Sequence, residues 1–157
     1  MFNADSHASS AESIADALAY ELETLTQVVE TLDIENEALL DSDADRLEQA
    51  VAAKQRAVTA HVQARHNREA LGLRDGLRAQ IESHPGFING LKQRALDDID
   101  ALRENSAKSK NANQRNGMLI ASLRERTATW SFDTCSTREG IGTPTGVIDA
   151  LLPLTLP

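Results

Sequence analysis

Leu18, Leu22, Leu25, Val29, Leu32, Asn36 and Leu39 follow one another at alternating steps of four and three residues. That is the spacing of a heptad seam, in which one face of a long helix meets a partner helix. It predicts a helix over residues 12–40, ~43 Å long at 1.5 Å per residue. Ser10 or Ser13 is the expected N-cap, with residues 1–10 fraying ahead of it. The one polar member of the seam, Asn36, is expected to fix register at some cost in stability.

Asp41-Ser42-Asp43-Ala44-Asp45 reads as a tight break with several N-cap candidates. A second helix is expected over residues 44–71, with Leu47, Val51, Val58 and Val62 on one side. Ala50, Ala57 and Ala60 fill out that thinner stripe, and small residues let two helices approach closely. Leu71-Gly72-Leu73 and Gly76 interrupt it, and Leu77 and Ile81 belong to a short helical turn before Ser83-His84-Pro85-Gly86. A third long helix is predicted from Pro85 or Gly86 to about residue 130.

In that third helix Ile88, Leu91, Ala95, Ile99 and Leu102 keep the rhythm. Carried forward, the seam lands on Ser106, Ser109, Asn113 and Asn116, then on Ile120 and Leu123. From Arg103 to Gly117, fifteen residues pass without one large apolar side chain. The phase survives while the chemistry turns polar. The simplest reading is a helix that has run past its partner into solvent. Packing through small and amide side chains, or a break near Gly117, are the alternatives.

The pattern therefore predicts an all-α fold. Its form is an elongated antiparallel bundle of three long helices (about 12–40, 44–71 and 86–130) with a short fourth. Residues 1–130 make one helical domain. Residues 131–157 form an irregular tail, first rich in Gly, Ser and Thr, then apolar from Val147 to Leu156 and cut by Pro153. That tail is expected to be flexible or docked on a partner.

Composition agrees with helices. Three Phe, one Tyr and one Trp are too few for a sandwich or barrel built on aromatics, and Ala, Leu, Glu, Gln and Arg dominate. Charge is more informative, because residues 1–50 carry thirteen acids and Arg46 alone. That net of −12 leaves +4 for the rest of a chain whose total is −8. The acids are read as solvated helix faces, with Lys54, Arg56, Arg65 and Arg68 the natural basic neighbours. No basic patch is interleaved with aromatics, which disfavours nucleic acid. No run approaches the roughly 20 apolar residues of a membrane span, and no signal peptide is recognisable. A lone Cys135 gives no disulfide and fits a reducing, cytoplasmic location.

Enzyme chemistry finds no support in the spacing. No Glu has a His three residues on, so a carboxylate-bridged di-iron site is not indicated. His7, His61, His66 and His84 do not share a helical face at i, i+4, and Cys135 has no paired His. Phosphate-cradling loops and nucleophile elbows are missing. The expectation is a binding protein without catalytic residues, metal or cofactor.

The acidic heptad helix, the hairpin with its Leu71-Gly72-Leu73 break, and the block Asn113-x-x-Asn116-Gly117-x-Leu119-Ile120 followed by Leu123 resemble the FlgN-type flagellar type III secretion chaperones. The general pattern spans about residues 12–130. Where many members carry Tyr-Gly-x-x-Gly, this chain has Thr137-Arg138-Glu139-Gly140-Ile141-Gly142 without a tyrosine. The resemblance implies an export chaperone of the bacterial cytoplasm. Its partners would be the helical C-terminal segments of hook–filament junction proteins and the flagellar export apparatus. Client contact would fall to Asn113, Asn116, Gly117, Leu119, Ile120 and Leu123. The alternative is a structural coiled-coil or oligomerisation module whose seam is completed by self-association.

Overall fold

The computed structural model describes residues 4–134, with side chains described for residues 7–88 and 90–126. Four helices account for nearly all of it: α1 (Ala4–Asp41), α2 (Ala44–Ala70), α3 (Leu77–Ser83) and α4 (Asn89–Thr134). The three long helices pack together, and α2 and α4 each lie along α1. The expected tail and Cys135 lie outside the described residues, apart from 131–134, which continue α4. No helix among the described residues is long and apolar enough to cross a membrane.

The α1 seam packs as its spacing predicts: Leu18, Leu25, Leu32 and Leu39 are buried, with Leu22, Val29 and Asn36 half-buried. Ile14, Ala15 and Val28 widen the stripe. The helix starts earlier than expected, at Ala4, and Ser13 is inside it, with Oγ bonded back to the Ser9 carbonyl at 3.0 Å. Ala11, buried in the main core, and His7, whose backbone lies against Gly86, hold the added first turns in place.

The first turn is two residues long. Ser42 takes the left-handed conformation (φ 56) and Asp43 caps α2, its carboxylate accepting from the Arg46 N–H at 3.0 Å. Partners on α2 fall in number as those on α1 rise: Glu21 meets Arg68, Thr24 meets His61 and Glu35 meets Lys54. On α4 they rise together: Thr26 with Asn105, Asp33 with Arg115, Asn36 with Asn116.

Two details differ from the sequence-based expectation. The segment 84–88 is a turn rather than the start of the last helix, which begins at Asn89. Phe87 therefore points inward, edge-on to the His84 ring at 5.4 Å, while Ile88 is 75% exposed and drops out of the seam. On α2, Val62 is exposed, and the buried stripe is Ala50, Lys54, Ala57, Ala64 and Arg68.

Gly86 sits buried against the first turns of α1. A Cβ on Gly86 would lie 2.1 Å from the His7 carbonyl oxygen. Gly86→Ala is expected to cost about 1–3 kcal/mol by pushing the start of α1 off the turn. Urea denaturation measures the loss. Hydrogen exchange should show protection falling over residues 7–14 and holding over 91–102.

Candidate functional site

The stretch 103–117 of α4 lacks large apolar side chains, yet it does not leave its partner. Ser109, Ala112 and Asn116 are buried against the bundle, and helix α4 passes through Gly117 without a break. The reading of a helix run out into solvent is thus corrected: contact is kept through small and amide side chains. Small side chains bring the backbones together, and a polar group can then reach across.

Asn116 does so. It is 1% exposed, and its Nδ2 donates to the Leu32 carbonyl at 2.8 Å and to Glu35 Oε2 at 2.9 Å. Its Oδ1 accepts from Asn36 Nδ2 at 2.9 Å. The other oxygen of Glu35, a residue with no exposed surface, accepts from Lys54 Nζ, and Lys54 is 5% exposed. A single carboxylate thus ties α1, α2 and α4 together. Lys54 balances the charge and Asn116 satisfies the second oxygen, and both are needed because an isolated buried carboxylate is strongly unfavourable.

One turn beyond this network the interface becomes apolar again. Ile120 and Leu39 are buried, with Leu47, Val51, Leu119 and Leu123 packed against them. Of the six residues expected to touch a client, Asn116 and Ile120 face the bundle. Asn113, Gly117, Leu119 and Leu123 are half-buried at its edge. Beside them Met118 is 62% exposed, as is Leu40 on α1 at 65%. Position 118 falls in the same apolar block that the sequence reading identified, but not in its set of client residues. Leu40 stands one step off the α1 seam, and no periodicity pointed to it.

The other end of the hairpin carries a second buried pair. Arg68 donates to the Glu21 carboxylate and to the Leu73 carbonyl, and so fixes the chain where it leaves α2. His61 lies between the two pairs, with Nδ1 3.4 Å from the Thr24 hydroxyl. Burial lowers its pKa below the usual 6.5, and Glu21 offsets part of that shift. The acids of residues 1–50 were read as solvated faces; Glu21 and Glu35 are instead buried and paired. The missed signal was on α2. Ala50, Ala57 and Ala64 recur every seven residues, and Lys54, His61 and Arg68 recur every seven between them.

Among the described residues no group of three or more His, Cys, Asp or Glu is placed to hold a metal ion. No family model, curated protein or solved structure matches the chain.

Two measurements test this internal wiring. Lys54→Met leaves the Glu35 carboxylate buried without its cation, and should cost about 3–5 kcal/mol in urea denaturation. Lys54→Met with Glu35→Gln should recover more than half of that loss. For His61, the unfolded chain takes up a proton first as pH falls below 6.5, so stability is full above that pH and declines below it. His61→Gln should flatten the decline when urea midpoints are compared between about pH 7.5 and 5.5.

Proposed function

We propose that this chain is a cytoplasmic chaperone for flagellar protein export, of the FlgN type. It would hold helical C-terminal segments of hook–filament junction proteins until they reach the export apparatus. In this reading the three long helices form an elongated antiparallel bundle, with residues beyond the helical part as a tail. The support is the block Asn113, Asn116, Gly117, Leu119, Ile120 and Leu123, together with what surrounds it in the fold.

The observation that carries the reading is where α4 goes. Ile120 sits beside Leu39, and α1 ends two residues later at Asp41, whereas α4 continues to Thr134. Roughly 20 Å of single helix therefore extends past the α1–α2 turn, at 1.5 Å per residue. At the base of that extension Leu119 and Leu123 are half-buried, and Met118 and Leu40 are exposed. A client helix laid there would cover apolar surface on both sides, in the manner of a helix in a groove. The client gains as well, because its own assembly face is kept from premature contact. Asn116 and Ile120 act from beneath by holding α4 against α1.

The alternative of a self-associating coiled-coil module has less to stand on. Leu18, Leu25 and Leu32 already pack within one chain and leave that part of the seam with no need of a second copy. Sedimentation that shows a concentration-independent monomer would argue further against it.

Binding to junction-protein C-terminal peptides tests the chaperone reading. Leu119→Asp with Leu123→Asp, shown by circular dichroism to remain helical and folded, is expected to weaken capture at least tenfold. A folded double variant that holds the client as well as the wild type would sink the proposal.

A further inference from the structure

Between α2 and α4, at the end where α3 connects them, the fold leaves a cleft of about 680 Å³. The volume lies within the range of roughly 300–1,000 Å³ typical of ligand sites. Its base includes Leu25 of α1 and Leu102 of α4, beside the buried Glu21–Arg68 pair. Arg68 is largely committed, since its guanidinium donates to both Glu21 oxygens and to the Leu73 and Arg74 carbonyls. Three more guanidiniums line the cleft from three elements: Arg65 of α2, Arg74 of the α2–α3 connection and Arg103 of α4.

These three are not equivalent. Arg65 is bonded to Glu69 Oε1 at 2.9 Å. Among the described residues neither Arg74 nor Arg103 donates a side-chain hydrogen bond to a carboxylate, although, after Arg78, Arg103 stands near enough to Asp100 to help hold that carboxyl below its usual pKa. The acid one turn before Arg103, Asp100, has both oxygens engaged by Arg78, at 2.6 and 2.7 Å. Asp75 also lines the cleft and offsets part of the charge. What remains is two guanidiniums from different elements, near an apolar base, on a chain whose net charge is −8. Guanidinium forks recognise carboxylates with two parallel hydrogen bonds.

We propose that this cleft docks an acidic peptide segment of a partner protein. Its carboxylates would meet Arg74 and Arg103, and a Leu-type side chain would enter toward Leu25 and Leu102. Selectivity follows from the surrounding charge. The acidic first 50 residues repel such a segment, so it is favoured on the α2–α4 side, where Arg74 and Arg103 converge from different elements. The site is independent of the client surface proposed above: Glu21 and Leu39 are roughly 27 Å apart along α1 at 1.5 Å per residue.

The probe is a synthetic 14-residue helical peptide with Glu and Leu at i, i+3 and i+4 spacing, titrated calorimetrically into the full chain at low salt. The wild type is expected to bind it, with amide shifts at Gly76 and Ser106. Arg74→Ala with Arg103→Ala should weaken binding at least tenfold without lowering the melting temperature, and so should replacing each Glu of the peptide by Gln. Unchanged affinity in the double variant, or no binding by the wild type at millimolar peptide, overturns the proposal. Displacement of the peptide by equimolar glutarate also overturns it, by assigning the cleft to a small carboxylate. Leu119→Asp with Leu123→Asp should leave this binding intact, which separates its failure from that of the chaperone reading.

Discussion

The Glu35 carboxylate sets the conditions under which the rest of this bundle forms. It is sealed from water between three helices, and its stability there depends on Lys54 from one side and Asn116 from the other. Burying it costs several kcal/mol before any partner arrives, so misplacing α2 by one turn leaves the charge unpaired, and misplacing α4 leaves a buried carboxylate oxygen without its donor. Apolar seams tolerate such slips far better, because one Leu replaces another at little cost. The network therefore chooses one register of α2 and α4 along α1 out of several that hydrophobic burial alone would accept. Asn36, paired with Asn116, adds a second directional bond to the same choice.

The same logic recurs along α2. Alanines at 50, 57 and 64 let the helix lie close to α1, and the longer Lys54, His61 and Arg68 between them reach across. Their counterparts on α1 are Glu35, Thr24 and Glu21. Arg68 then extends the pattern into the connection by holding the Leu73 carbonyl, so the direction in which the chain leaves α2 depends on an ion pair with α1. Because α3 and the cleft beside it follow from that exit, the electrostatics of one interface shape the far end of the bundle.

Much of this was legible in the sequence and some was not, for identifiable reasons. The α1 seam could be read because each position is a large apolar residue at heptad spacing, and burial follows directly. On α2 the alanine filling was visible at Ala50 and Ala57, but a search for large apolar residues passes over buried cations; Val62 looked better than Lys54 and proved exposed. The polar run of α4 was harder still. Its phase was visible, but Ser109 and Asn116 carry no signal that separates a solvated face from a close contact, since that depends on what stands opposite. Ile88 failed for a local reason: a turn at 84–88 reverses which of Phe87 and Ile88 points inward. Among the proposed client residues the sequence located the block but could not tell the half-buried edge, Leu119 and Leu123, from the buried floor, Asn116 and Ile120.

The polar run also bears on how α4 holds to α1. Where Ser109, Ala112 and Asn116 form the contact, little apolar surface is removed from water, and burial contributes roughly 25 cal/mol per Å². Adhesion there rests on the amide bonds of Asn116 and on the apolar cluster around Ile120, rather than on continuous hydrophobic area. Local opening is easiest where buried apolar contact is sparse. The hairpin end of α4 is thus fastened by one apolar cluster, by the buried Asn116 node and by the exposed Arg115–Asp33 pair, with the Leu91–Leu102 region anchoring it at the other end. Under the proposed function this division has a consequence. A client helix that docks beside Leu119 and Leu123 enlarges the one apolar cluster that fastens this end of α4, next to the sparse Ser109–Asn116 contact, so client binding and closure of α4 onto α1 would reinforce each other.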